Sequence, residues 1–240
     1  SFTTNHECGL LVDGFDTPPV IGIPYNPRYY SDLIESWGLE KYKVIHARLL
    51  TRIVSSLILI VSLLLAIERY QALDLVIETK PDSSPVTDAD KAVESAIRAE
   101  ISKLRADDLV VGEEFGSPDS LAGKYYWVID PIDGTKNYLR GVPTWATLIG
   151  LIDPAGEVVV GVVSAPALAR RWWAAKGLGA KTQFNSGVNF GAGEISELKV
   201  SKVSKLIDAS ISYSDLIGWG ERKDKFVALQ EKVWRTRGHG

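Results

Sequence analysis

Asp130 and Asp133 stand three residues apart in the run Trp127-Val128-Ile129-Asp130-Pro131-Ile132-Asp133-Gly134-Thr135-Lys136-Asn137. The apolar stretch Tyr125 to Ile129 reads as a strand that delivers both carboxylates, and Pro131 and Gly134 then break it into the start of a helix. The two acids can lie near one point while the backbone amides after Gly134 stay free. Hard divalent cations take carboxylate oxygens, and phosphate takes free amides at a helix N-terminus. The pattern suits phosphate-ester chemistry.

Three more acids stand at predicted element ends: Asp90, Glu113 and Glu114. Each has a plain structural reading. Thr87 and Asp90 have the spacing of a helix capping box, and Glu113-Glu114 fits a solvated loop after a strand. Asp130 and Asp133 fit a turn and an N-cap. Read together, a strand-end Glu, a strand-end Asp and a helix-start Asp could share two or three cations. In two-metal hydrolysis one ion lowers the pKa of a water and another stabilises the leaving oxygen. Phosphate would then lie against the Gly134 and Thr135 amides.

The bulk properties narrow the field. The 240 residues, 45% of them hydrophobic, suffice for one large domain or two modest ones. A net charge of −3 with scattered Lys and Arg argues against a nucleic-acid partner. Cys8 is the only cysteine, so a reducing compartment is expected, and His6, His46 and His239 are too isolated to ligate a metal together. Methionine is absent and Ser1 comes first, so a processed chain or a fragment is expected. No charged-then-apolar leader opens the sequence, and the cytoplasm is the expected location.

Three segments differ in character: 1–43, rich in Pro, Gly and aromatics; 44–70, containing the apolar run Ile53 to Ile67; and 71–240, a mixed α/β domain. Ser31 to Lys41 reads as a short helix in the first segment. The fifteen-residue apolar run falls short of the ~20 residues that cross a bilayer, so a buried helix is expected over a membrane anchor. In the third segment Val93, Ile97, Ile101 and Leu104 form one helix face, and Leu109-Val110-Val111 a short strand. Trp145 to Ile152 and Glu157 to Ser164 read as strands joined at a turn, Asp153-Pro154-Ala155-Gly156. Arg171 to Ala175, with one tryptophan on each face, and Ser210 to Tyr213 read as further strands. A last helix from about Lys223 would present Phe226, Leu229, Val233 and Trp234.

The ordered motifs Val86-Thr87-Asp88-Ala89-Asp90, Gly112-Glu113-Glu114 and Asp130-Pro131-Ile132-Asp133-Gly134-Thr135 with Asn137 resemble those of the inositol monophosphatase family, over residues 70–240. The resemblance implies a layered α/β/α/β/α sandwich and magnesium-dependent hydrolysis of a small phosphate ester with two or three Mg²⁺ ions. It implies that Glu113, Asp130 and the Ile132 carbonyl bind a first ion, and Asp130 and Asp133 a second. Glu114 would orient water, Thr135 with Asp90 would position and deprotonate it, and Asp133, Gly134 and Thr135 would meet substrate. Lys80 to Ser84 matches the family's mobile loop. A second copy of the chain is the one protein partner the resemblance allows for. Within the family, Gly161 to Leu168, Arg170 to Ala175, Glu78 to Asp82 and Trp234 to Gly238 are most similar to bacterial histidinol-phosphatases of the actinobacterial type. This points to histidinol phosphate and to histidine biosynthesis, with inositol 1-phosphate as the alternative substrate.

Two departures matter. No Trp-Asp motif follows Asp133, as the family would have it, so the domain reads as truncated at its C-terminus and its second ion as weakly held. A non-catalytic remnant is therefore a second alternative. Gly14 to Lys43 instead resembles the tail of an acetyltransferase-related bacterial protein, to which no activity is assigned, joined through the apolar stretch.

Overall fold

A computed structural model describes residues 65–81, 85–184, 193–214 and 216–238. The expectations for 1–43, for most of the apolar run and for residues 82–84 of the expected loop lie outside the described residues. Residues 65–69 are helical, and Ala66 is wholly buried. Among the described residues, no helix is long and apolar enough to cross a membrane.

Two short strands, β1 (Ile77–Thr79) and β2 (Pro85–Thr87), pair antiparallel and lead into helix α1 (Asp88–Leu104). The helix starts where the capping-box spacing places it: Thr87 and Asp90 satisfy each other's backbone amides. Val93, Ile97 and Ile101 recur every four residues and are all buried, whereas Leu104, expected on the same face, is exposed at the helix end. Burying each of the three is worth about 1.5–3 kcal/mol.

That face packs on a seven-stranded sheet of β3 (Leu109–Gly112), β4 (Tyr126–Asp133), β5 (Ala146–Ile152), β6 (Val158–Ala165), β7 (Arg170–Ala175), β8 (Gly179–Phe184) and β9 (Ile195–Leu198). The strands lie in sequence order; β3 and β4 are parallel and every later pair is antiparallel. The parallel pair is separated by the loop 113–125, whereas β5 to β8 follow one another through tight connections such as Asp153 to Gly156. Trp127, Ile129, Ile149, Leu151, Val160 and Val162 are among the residues the sheet gives to the core. On β7, Trp173 is buried while Trp172 lies half-exposed under Arg170, as alternation requires.

A five-residue helix, α2 (Thr135–Leu139), follows β4. Beyond β9, strand β10 (Ser210–Tyr213) pairs in parallel with β11 (Arg235–Gly238), and helix α3 (Lys223–Gln230) connects them. The layered α/β architecture inferred from the sequence is the one observed.

Three local expectations need correction. Strand β4 does not stop at Ile129; it continues through Pro131 to Asp133 because the pairing with β5 resumes past an irregularity. The last helix ends at Gln230, and Val233 and Trp234 lie beyond it, with Trp234 exposed. Strands β8 and β9 escaped the sequence reading, since Gly179 and the charged residues of Glu194 to Glu197 mask their alternation, and so did the short strands β1, β2 and β11.

Candidate active site

Side chains three apart on a regular strand point to opposite faces. Asp130 pairs with Leu148 and Asp133 with Ala146, so three steps on β4 match two on β5. This one-residue bulge re-aims Asp133 toward the side of Asp130. Thr147, between the two partners on β5 and almost wholly buried, pins the bulge: its Oγ1 donates to the Pro131 carbonyl at 2.8 Å. Gly134 then takes φ +88°, a left-handed geometry that favours glycine, and becomes the N-cap of α2. Asp133 is not the N-cap.

The parallel register places Gly112 opposite Ile129, so Glu113 falls beside Asp130. The Glu113 amide donates to the Ile129 carbonyl at 3.2 Å. The next residues turn tightly, with Gly112 and Gly116 exchanging backbone hydrogen bonds at 3.0 and 3.1 Å. Helix α1 brings Asp90 to the same end of the sheet, where Oδ2 accepts from the Thr87 amide at 2.8 Å and from the Thr87 hydroxyl at 2.5 Å. Asp90 is therefore both a helix cap and a member of the acidic cluster.

The electrostatics show how closely these acids converge. Burial raises the Asp130 carboxyl to about 8, helped by the charge of Glu113 and a hydrogen bond shared with it, and then by Asp133 and Asp90. Asp90 is pushed up to about 6 by burial, against the Thr87 bonds and with the Glu114 charge. Asp133 is raised by burial and by Glu113. Asp130 Oδ1 is buried with no hydrogen-bond partner. Buried acceptors without partners are uncommon and call for an explanation.

Lys80 reaches into the same cluster. Its ammonium donates to Glu113 Oε1 at 2.7 Å and to Glu114 Oε1 at 2.8 Å. Among the described residues, no three His, Cys, Asp or Glu side chains are gathered as an ion-holding group. The acids expected to hold cations thus share one end of the sheet, with Lys80 engaged on two of them. The Ile132 carbonyl accepts from Thr135 Oγ1 at 3.1 Å, so the Thr135 hydroxyl bonds within its own turn and not to Asp90. Asn137 fastens α2 to the next loop, donating to the Thr144 carbonyl and hydroxyl at 2.9 and 3.0 Å.

The carboxyls are hard oxygen donors of the kind divalent cations take, partly desolvated, and one Asp130 oxygen lacks a partner, although the side chains are not gathered into a formed ion cage among the described residues. A cation there would offset the burial and the neighbouring charge that raise the Asp130 carboxyl. Sequence reading missed Thr147, Glu94 and the engagement of Lys80. Glu94 carried one usable sign, lying one helical turn after Asp90 on the same face.

The sequence profile of the inositol monophosphatase family matches residues 49–233. The chain belongs to the inositol monophosphatase family. Among curated relatives, it is 53% identical over 178 residues to a histidinol-phosphatase of Streptomyces coelicolor and 49% identical over 174 residues to one of Mycobacterium tuberculosis. Each match covers 72% of this chain and 64% of the relative, so the chain spans about two thirds or less of these relatives' length. Among solved structures, an inositol monophosphatase of Zymomonas mobilis aligns with a TM-score of 0.62 at 27% identity, covering 84% of this chain and 71% of that one. The Thermotoga maritima IMPase aligns with a TM-score of 0.61 at 27% identity, covering 75% and 64%.

Proposed function

We propose that this protein is a divalent-cation-dependent phosphomonoesterase that hydrolyses histidinol phosphate, with Mg²⁺ as its ion. The observation that carries the reading is Asp130, a partly buried carboxyl whose Oδ1 is buried without a partner, set among Glu113, Asp133 and Asp90. Family membership supports phosphate-ester hydrolysis, and the two histidinol-phosphatase relatives support the substrate.

Glu113, Asp130, the Ile132 carbonyl and Asp133 would hold the ions. When bound, Mg²⁺ supplies positive charge that offsets the clustered carboxylates, acidifies water and favours the leaving oxygen. The protein's own groups do the rest. The Gly134 and Thr135 amides at the start of α2 have no partner within that helix and can donate to phosphate oxygens. Glu114, its side chain almost wholly buried, orients the attacking water. Asp90 accepts the proton from that water; its carboxyl sits near 6, close to the working range of a general base. The Thr135 hydroxyl, anchored on the Ile132 carbonyl, keeps a lone pair to position the same water. Attack is direct on phosphorus, with no covalent enzyme intermediate.

A second substrate reading, inositol 1-phosphate, is supported by an Aquifex aeolicus relative described as a fructose-1,6-bisphosphatase/inositol-1-monophosphatase, 44% identical over 104 residues. Release of inorganic phosphate from both esters, with and without Mg²⁺, separates the readings. We expect kcat/KM for histidinol phosphate to exceed that for inositol 1-phosphate by about tenfold or more, and Asp130→Asn and Asp133→Asn each to lower it by ~10²-fold. Equal hydrolysis by the parent chain and both variants would rule out this site. Mg²⁺ uptake without hydrolysis would identify a cation-binding remnant instead.

A further inference from the structure

Glu94 is wholly buried in the middle of α1, yet it is ionisable and lies outside the acidic cluster itself. Its Oε2 accepts from the Glu114 amide at 2.8 Å, and its Oε1 accepts from the Phe115 amide at 3.3 Å and from Arg98 Nε at 2.7 Å. Arg98 extends the brace, donating to the Val110 carbonyl at 3.3 Å and the Gly116 carbonyl at 2.9 Å. A Cβ on Gly112 would lie 1.8 Å from Glu94 Oε1, so glycine is what lets the carboxylate enter the turn. The turn 112–116 is thus gripped at the Glu114 and Phe115 amides from inside and at Gly116 from the flank.

We propose that Glu94, paired with Arg98, is a positioning residue that fixes the backbone of Glu113 and Glu114 and thereby sets the Glu113 carboxylate beside Asp130 and the Glu114 carboxylate beside Asp90. The inference rests on the cation site of the proposed function. A buried carboxylate satisfied by two amides and a guanidinium is a strong, directional brace. Loss of one acceptor there leaves a buried donor unpaired, and the turn is free to swing. Groups that orient metal ligands typically change affinity 10- to 100-fold when removed.

The test uses the full chain and two readouts: hydrogen exchange at the Glu114 and Phe115 amides, and Mn²⁺ affinity by electron paramagnetic resonance of the free ion. Glu94→Gln keeps the shape but turns an NH₂ toward one of its three donors. We expect exchange at both amides to quicken by about tenfold or more and Mn²⁺ to bind ~10-fold more weakly. Asp108→Asn breaks a different buried polar group, the partner of Arg105 and Trp127, and should lower the melting temperature while leaving both readouts within about twofold. Wild-type values for either readout in Glu94→Gln would overturn the proposal. Should Glu94→Gln fail to fold, Arg98→Lys keeps the charge beside Glu94 but gives up the fork to Val110 and Gly116. Faster exchange at Glu114 and Phe115 in that variant supports the proposal, and unchanged exchange overturns it. Absence of Mn²⁺ binding by the parent chain would instead refute the cation site, while the exchange comparison still decides whether Glu94 holds the turn.

Discussion

Lys80 Nζ lies 2.8 Å from Glu114 Oε1, and the same ammonium lies 2.7 Å from Glu113 Oε1. A positive side chain from the segment after β1 therefore partly neutralises the acids of the turn. Burial disfavours this ammonium, but its bonds to Glu113 and Glu114 outweigh burial and raise its pKa, so it stays charged.

A divalent cation that takes Glu113 must compete with that ion pair. Lys80→Ala is expected to bind Mn²⁺ several-fold more tightly than the parent chain, about 3- to 10-fold if a single partly buried pair is relieved. Titration monitored by paramagnetic resonance checks this. Weaker binding in the variant would mean that Lys80 assists cation capture.

The cluster should also make the cation-free protein sensitive to base. Asp130 moves from an ordinary value of 3.8 to about 8 on folding, and Asp90 to about 6, so the folded state binds more protons than the unfolded one in between. Stability from these groups is present below about pH 4 and is lost as pH rises, through about 6 for Asp90 and about 8 for Asp130. With chelator present, the melting temperature is expected to be lower at pH 9 than at pH 5 by several degrees, roughly 4 °C or more. Asp130→Asn should flatten most of the slope, and Mg²⁺ should restore stability at pH 9 by binding the ionised form. A flat profile in the parent chain would contradict the clustering.

Thr147→Val removes the hydroxyl that fastens the β4 bulge while keeping the side chain's size. The Pro131 carbonyl would lose its buried donor, a cost of about 1–3 kcal/mol. Urea unfolding should show that loss, and Mn²⁺ affinity should fall with it because Asp130 and Asp133 depend on the bulge for their common side. A destabilised variant with undiminished affinity would separate the bulge from the site.

Gly134→Ala should be worse than Gly156→Ala, although both glycines have similar positive φ, +88° and +82°. The shared left-handed penalty is ~1–2 kcal/mol. A Cβ at Gly134 would also meet the Thr144 carbonyl at 3.1 Å, whereas one at Gly156 meets nothing within 4 Å. Equilibrium unfolding of the two variants isolates that contact.

Much of this was legible from residue order. The Val93, Ile97 and Ile101 spacing marks α1, the Thr87 and Asp90 pair marks its start, and the DPIDGT run marks the site. Finding Asp130 and Asp133 near one point is expected of a strand that ends at Ile129, but the strand runs on to Asp133, where a period of two would put them on opposite faces. Only the pairing of β4 with β5 reveals the extra residue, and that pairing is a long-range property. Lys80 and Glu94 act across 33 and 20 residues, on Glu113 and on the Glu114 amide, respectively. No local pattern links such positions. The extent of α3 was overestimated because Val233 and Trp234 continue the helical spacing past the true end at Gln230.

The central claim, that these carboxylates form a divalent-cation site, is tested most directly by titrating Mg²⁺ and Mn²⁺ into the folded, chelator-treated full chain by calorimetry. Saturable uptake is expected, accompanied by proton release as the raised carboxyls ionise, and weakened at least about tenfold in Asp130→Asn. No uptake by well-folded parent protein, or uptake that Asp130→Asn leaves unchanged, would contradict it.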